Sequence, residues 1–343
     1  MTRSYIRGLG FYVPPKVVTN EDLSRLMDTS DAWIRERTGI QTRHFVEKGV
    51  AASDLALAAT KNALKDAGLT AKEIEFIILA TLSADYQFPG ASAILQAKLG
   101  ISAGGETSPL KGGGDSIGAM DIRTQCSGFV YGLATADAMI RAGLYKRILL
   151  VGAEVQSTAL DLTTRGRDVA VIFGDGAGAA LLEATQEDRG IISSHLHCDG
   201  RYAKELWVEH PGSSSHPSVD VKMIEEGRHF PRMNGREVFK FAVTKFVEVI
   251  GEALKANRFQ STDIDLLIVH QANIRIAEAV REYLKLPSEK MYNNIDKYGN
   301  TTAASIPIAL TEAKQLGLLK PGALVCLAAF GSGFTWGATL IRW

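Results

Sequence analysis

The chain has 343 residues, enough to bury a large core as two domains or as one large duplicated one. Its 38 Lys plus Arg balance 38 Asp plus Glu, so no net field draws nucleic acid or an anionic membrane, and only local basic patches remain available. Cys126, Cys198 and Cys326 are far apart, odd in number and without C-x-x-C spacing, which argues for free thiols in a reducing compartment and against a disulfide framework or a cysteine metal site.

The opening MTRSYIRGLGFYVPP has no apolar run of signal-peptide length, and no stretch reaches the roughly 18 uninterrupted apolar residues of a membrane span, so a soluble cytoplasmic protein is expected. Over Ser53 to Ala67, Leu55, Ala59 and Ala63 recur at helical spacing, with Ser53 as N-cap and Gly68 just past the end. IEFIIL, Ile74 to Leu79, is a continuous apolar run and predicts a strand covered on both faces. The Gly-rich, aperiodic Ser102 to Gly118 reads as an exposed loop inserted before the next strand. In TQCSGFVYGL, Thr124 to Leu133, a strand ends and a small-residue helix begins with Cys126 at the junction. GDGAGA, Gly174 to Ala179, satisfies the G-x-G-x-x-A dinucleotide pattern after VAVIF, but it runs into the strand-like AALLEA, which disfavours a nucleotide site. HLHC, His195 to Cys198, alternates like an ordinary strand and has no partner cluster, so metal is rejected. Asp199 to Arg232, with HPGSSSHPS, reads as surface cover near an entrance.

Part of this order recurs. ALKDAGLTAKEIEFIILAT, from Ala63, aligns without a gap to ALKANRFQSTDIDLLIVHQ, from Ala253, at a constant offset of 190 residues. A looser echo joins Met120 to Ala134 with Asn293 to Ala309 and would make Cys126 and Asn300 equivalent helix starts. RILLVGAE, Arg147 to Glu154, likewise echoes ALVCLAAF, Ala323 to Phe330. Two similar α/β halves are expected, 1–185 and 186–343, with active groups where their strand ends converge.

Taken alone, Cys126 reads as a small buried hydrophobe. At a helix start, unpaired N–H groups would instead lower its pKa, and Ser127 and Gly128 leave room for a substrate. His270 ends the strand LLIV where the first copy has Ala80, so the duplicated scaffold differs at its active end. Asn300 in KYGNTTAAS is by default an N-cap, and its echo of Cys126 suggests a shared pocket. Cys, His and Asn also compose papain-like proteases, and their order along this chain does not decide the matter. In AAFGSGFTWGA, Gly331 and Gly333 flank Ser332, where a backbone N–H can face an oxyanion or simply make a turn. Trp33 and Arg37 share a helical face, which read unaided is a solvated helix.

DAWIRERTGI, QCSGF, FGDGAGAA, HQANIRI, YGNTTAAS and FGSGFTWG, in this order, resemble the motifs of β-ketoacyl-acyl carrier protein synthase III, of the thiolase superfamily. The resemblance covers essentially the whole chain. It implies the thiolase-like duplicated α/β/α/β/α five-layered fold, a homodimer, and no permanently bound cofactor. Cys126 would take an acyl group from acyl-CoA, and decarboxylation of malonyl-acyl carrier protein would generate the carbanion that attacks this thioester to give a 3-oxoacyl product. His270 and Asn300 would hold the malonyl thioester oxygen, and the N–H groups of Cys126 and Ser332 would form the other oxyanion hole. Trp33 would stack on the CoA adenine and Arg37 hold its phosphates, with a further arginine from TTRGRD, Arg165 or Arg167, of which Arg167 is preferred. Asn273 would lie beside the pantetheine arm, and Gln271, Arg275 and Lys240 would meet the carrier protein. Glu282 and Tyr283 stand where basic residues are expected in the docking helix. Phe88 would reach across the dimer to bound the partner's acyl pocket. An acyl transferase or thioester hydrolase needs the same cysteine without malonyl chemistry, whereas a noncatalytic partner subunit typically lacks the nucleophile.

Overall fold

The computed structural model describes residues 2–101 and 116–343. The loop expected over 102–118 lies, apart from residues 116–118, outside the described residues, and Gly118 already belongs to a strand.

Two sheets carry the fold. The first is built from β1 (Arg3–Tyr12), β2 (Phe76–Ala80), β3 (Gly118–Ile122), β4 (Arg147–Glu154) and β5 (Gly176–Thr185), side by side in the order β1-β5-β4-β2-β3. The second holds β6 (Gly190–Cys198), β7 (Leu266–Val269), β8 (Leu324–Gly331) and β9 (Thr335–Arg342), in the order β7-β8-β9-β6. β4 runs parallel to β2 and β2 to β3, and β7 runs parallel to β8, while the remaining neighbours are antiparallel.

Six helices matter for the site: α1 (Asp31–Thr38), α2 (Ala52–Ala67), α3 (Gly128–Arg141), α4 (Gly235–Ala256), α5 (Ile274–Tyr283) and α6 (Ser305–Gln315). The period-2 alternation of the strands explains how they are layered. Ile77, Leu79, Leu149 and Val151 pack with α2 residues such as Leu55 and Ala59 on one face of the first sheet. Ile78 and Leu150 point the other way, into a central cluster with Phe129 and Leu133 of α3, Ile306 and Leu310 of α6, and Ile268 and Leu327 of the second sheet. Leu267, Val269 and Cys326 face outward onto Phe246 of α4 and Val280 of α5. The result is α/β/α/β/α, with α3 and α6 shared between the sheets. Each fully buried Leu, Ile or Phe here contributes roughly 1.5–3 kcal/mol relative to exposure, which is why continuous apolar runs such as IEFIIL become central strands. Cys326 belongs to this packing, and burial pushes its thiol up to about 12.

The internal repeat reaches backbone detail. The 3-10 turn Ala71–Glu73 and the start of β2 recur, 190 residues later, as the turn Ser261–Asp263 and the start of β7. In the other echo the offset is 177: β4 corresponds to β8, and the 3-10 turn Gln125–Ser127 before α3 corresponds to Thr302–Ala304 before α6. Gln125 (φ 45°) and Thr302 (φ 52°) both take the left-handed conformation. The expected pairing of Cys126 with Asn300 is therefore corrected. The counterpart of Cys126 is Ala303, and Asn300 precedes its helix by five residues rather than two. The β4 and β8 alignment also moves by one residue, which reverses the face each side chain takes.

GDGAGA feeds directly into β5 without opening a helix. His195 and His197 sit on β6, each hydrogen-bonded to Glu252 (3.1 and 2.6 Å). At the end of the 199–232 stretch, Arg232–Met233 pairs with Leu206–Trp207. Among the described residues no group of His, Cys, Asp and Glu is arranged to hold a metal ion, and no helix is long and apolar enough to cross a membrane.

Candidate active site

A cavity of about 510 Å³ opens beside Trp33, Arg37, Arg236 and Arg275 and reaches Cys126, His270 and Asn300. Those last three are only 6, 3 and 5 % exposed, so the chemistry lies at the buried end.

Cys126 is held by its turn. Ser127 Oγ bonds Thr124 O (2.7 Å) and Thr335 Oγ1 (2.7 Å), fastening the turn to the β8–β9 connection. Gly331 lets that connection come close, since a Cβ there would lie 2.7 Å from Cys126 Cβ. The backbone N–H groups of Cys126 and Ser332 both act on the Cys126 sulfur. Ser332 Oγ donates to Leu206 O, tying this corner to the cavity wall. The expectation of a lowered thiol pKa is overturned. Burial first, then the charge of Glu154, push the Cys126 thiol up to about 12, against the pull of the two N–H groups. The helix start does not outweigh loss of solvent, so the resting group is the neutral thiol.

His270 follows β7, and its backbone N–H donates to Ala328 O (2.8 Å). Its Nδ1 lies 2.7 Å from Ser305 Oγ, whereas its buried Nε2 has no hydrogen-bond partner among the described residues. Ser305 Oγ accepts from the Gln271 N–H (3.3 Å), which leaves its own proton for Nδ1 and favours the tautomer with the proton on Nε2. Burial lowers the imidazole to about 3, so it stays neutral.

Asn300 is stapled at both backbone groups, its N–H to Ile172 O (2.9 Å) and its C=O to the Gly174 N–H (3.1 Å). Its Oδ1 accepts from the Thr302 N–H (2.8 Å). This is an Asx turn and not the helix N-cap that the default reading expects, since Thr301 precedes the 302–304 turn and Ala304 precedes α6; it fixes the amide so that Nδ2 remains available in the cavity.

At the mouth, the Arg37 guanidinium lies 4.5 Å and that of Arg167 5.0 Å from the Trp33 ring centroid. Arg165 is instead paired with Asp161 (2.5 Å) and turned toward Phe230 (5.7 Å), which separates the two arginines that sequence left side by side. Asn273 caps α5 by accepting from the Arg275 N–H (2.9 Å), and its Nδ2 donates to Arg37 O (2.8 Å), joining α5 to α1. Arg275 and Lys240 are exposed, and Arg275 lies over Phe239 (5.6 Å). Gln271 corrects the expectation of a docking residue. It is 3 % exposed, donates to Val269 O (2.8 Å) and accepts from the Asn294 N–H (2.9 Å), so it presents nothing to a partner. Phe88 is 86 % exposed and does not line this cavity. Tyr283, at the end of α5, is exposed as well.

Three residues escaped the sequence reading. Arg236 lines the mouth one helical turn before Lys240, a spacing legible in REVFK. Ser305 and Glu154 carried no distinguishing signal, one being a small residue at a helix start and the other the polar end of an apolar strand.

The family model described as 3-oxoacyl-[acyl-carrier-protein] synthase III matches residues 120–200, and that of its C-terminal region residues 254–343. The β-ketoacyl-[acyl-carrier-protein] synthase III of Rhodospirillum centenum is 46 % identical to this chain, with 99 % of each covered. That of Koribacter versatilis is 44 % identical, over 99 % of this chain and 98 % of the relative. The crystal structure of 3-oxoacyl-[acyl-carrier-protein] synthase III from Aquifex aeolicus superposes with a TM-score of 0.87 at 38 % identity, over 99 % of this chain and 100 % of that one. With a duplicated five-layered scaffold that buries one cysteine, one histidine and one asparagine at the end of a single cavity, the chain belongs to the β-ketoacyl-[acyl-carrier-protein] synthase III family of acyltransferases.

Proposed function

We propose that this protein condenses an acyl-CoA with malonyl-acyl carrier protein, with Cys126 carrying the acyl group and His270 and Asn300 activating the malonyl thioester, as the initiating step of fatty acid synthesis. The observation that carries this reading is the meeting of these three buried groups at the end of a cavity whose mouth is aromatic and basic.

In the first half-reaction the Cys126 sulfur attacks the acyl-CoA carbonyl. The new C–S bond forms, the bond to CoA sulfur breaks, and the thiol proton leaves with CoA. The N–H groups of Cys126 and Ser332 are suited to the transient oxyanion. In the second, the malonyl C–C bond breaks with loss of carbon dioxide, and its electron pair becomes an enolate whose oxygen accepts from His270 Nε2 and Asn300 Nδ2. The enolate carbon then attacks the Cys126 thioester and its C–S bond breaks, giving the 3-oxoacyl product on the carrier and a Cys126 thiolate that takes one proton from solvent to regain the resting thiol. A neutral His270 suits this role, because it donates without itself changing charge. Removing one such donor costs about 10²–10³ in kcat.

Trp33, Arg37 and Arg167 form a stacking and phosphate-binding surface for the CoA nucleotide, with Asn273 between that surface and the cysteine. Arg236, Lys240 and Arg275 form a basic rim for an acidic carrier protein. The exposed Phe88 and the edge position of β3 among the described residues favour a homodimer that covers both. A cytoplasmic location fits the free thiols.

Intact mass after incubation with acetyl-CoA and longer acyl-CoAs tests the first step. An adduct present in the native protein and absent from Cys126→Ala is expected, and no adduct with any starter refutes it. Carbon dioxide release on adding malonyl-acyl carrier protein to the acylated protein tests the second. Acylation without release would instead favour a transferase or thioester hydrolase that uses another acceptor.

A further inference from the structure

Glu312 lies two turns along α6 from Ser305, whose Oγ is 2.7 Å from His270 Nδ1, so both side chains leave the same face of one helix. The Glu312 side chain is only 13 % exposed, and its carboxylate is fully engaged by one neighbouring segment. Oε2 accepts from Asn294 Nδ2 (2.6 Å) and Tyr292 OH (3.2 Å), while Oε1 accepts from Tyr298 OH (2.9 Å) and Lys297 Nζ (3.3 Å). These donors all belong to the stretch that leads into Asn300, and Gly299 alone separates Tyr298 from it. The same stretch reaches the histidine side of the site. The Asn294 N–H donates to Gln271 Oε1 (2.9 Å), and the Gln271 N–H donates to Ser305 Oγ (3.3 Å). Burying a carboxylate is tolerated only where its oxygens are hydrogen-bonded, so the charge draws 292–298 onto α6. One helix thus sets the spacing of two side chains, His270 through Ser305 and Asn300 through Glu312.

We propose that Glu312 is a positioning residue for the condensation half-reaction, holding Asn300 in register with His270 through the segment 292–298, with no part in loading the acyl group onto Cys126. This rests on the roles proposed above for Asn300 and His270. Each carboxylate oxygen faces one group that can only donate, Asn294 Nδ2 on one side and Lys297 Nζ on the other. Glu312→Gln keeps the shape but must turn its N–H groups toward one of these donors whichever way the amide is flipped. Adding Asn294→Asp supplies the missing acceptor and returns the charge to the cluster. Recovery by this swap depends on the hydrogen-bond pattern, and a role in packing alone would not produce it.

The two half-reactions are measured separately, Cys126 acylation by intact mass with acetyl-CoA, and carbon dioxide release from malonyl-acyl carrier protein by the acylated protein. Glu312→Gln should acylate within about threefold of native and release carbon dioxide about 10²-fold more slowly, the cost of misplacing a reacting group by about 1 Å. The swap should recover release by at least about tenfold. Tyr298→Phe deletes one donor and leaves the carboxylate in place, and should show the same split at about three- to tenfold. Equal slowing of both half-reactions in folded Glu312→Gln overturns the proposal, as does undiminished release or a swap that recovers less than about threefold. If Glu312→Gln does not fold, Tyr298→Phe decides, and unchanged release or equal slowing of both half-reactions overturns the proposal. Native protein that fails either half-reaction refutes the substrate reading instead. The side-chain amide resonance of Asn300, assigned with Asn300→Ala, then carries the test without any substrate. It should shift in Glu312→Gln and in Tyr298→Phe, and a resonance that stays in place in both overturns the positioning role.

Discussion

Gly331→Ala tests whether close backbone approach builds the oxyanion corner. The added methyl would stand 2.7 Å from Cys126 Cβ and 3.0 Å from Cys126 N, both inside the 3.4 Å at which ordinary contact begins. Neither neighbour is the loose end of a flexible side chain, so the β8–β9 connection and the Cys126 turn must separate, carrying the Ser332 N–H away from the sulfur. Overpacking of this kind costs about 1–3 kcal/mol of stability, and a displacement approaching 1 Å at a reacting group costs on the order of 10²-fold in rate. Acylation of Cys126, followed by mass in stopped time points, should fall about 100-fold while the proposed binding of CoA at Trp33 is preserved. Gly200→Ala is the control, since nothing lies within 4 Å of its added Cβ. Acylation of Gly331→Ala within twofold of native, with an ordinary melting curve, would refute the reasoning.

Acid stability reports the state of His270. Its folded pKa, about 3, lies below the ordinary 6.5, so the unfolded chain binds the extra proton as pH falls. The stability from keeping the ring neutral is whole above pH 6.5 and is lost progressively between pH 6.5 and 3, at about 1.4 kcal/mol per pH unit. Urea unfolding at pH 6.5 and pH 4.5 should therefore show the native protein losing on the order of 2–3 kcal/mol more than His270→Gln; equal losses would contradict a buried neutral imidazole. The opposing contribution of Glu154, whose raised pKa adds stability as pH falls from about 7, is common to both proteins and drops out of the comparison. Gly251 lies inside α4 with open space around its added Cβ. Gly251→Ala should stabilise by about 0.5–1 kcal/mol without changing activity, and a lowered melting temperature would reveal a packing role.

The secondary structure around the site was legible because its cause is local. IEFIIL and LLIV are too apolar to lie anywhere but between layers, and the gapless repeat that joins them declares two similar halves. Against that repeat, His270 in place of Ala80 already marked the active end, as Cys126 marked the helix start. Motif order sufficed for the family. Offsets and side-chain states were not legible. Pairing Cys126 with Asn300 failed because the true register follows the left-handed residues Gln125 and Thr302, whose conformation no local pattern of polarity encodes. Arg165 and Arg167 were indistinguishable until Asp161 claimed one and Trp33 met the other. Gln271 read as a surface residue until the Asn294 backbone drew it inward. The state of Cys126 is the clearest case. Its own neighbours along the chain favour a thiolate, but Glu154 and the layers packed around it, contributed by distant segments, favour the thiol. The sequence by itself determined the strand and helix ends that carry Cys126, His270 and Asn300, because composition and periodicity act over a few residues. Only the tertiary structure decided their protonation and their partners, because burial and the charge of Glu154 come from segments that meet only in the folded protein.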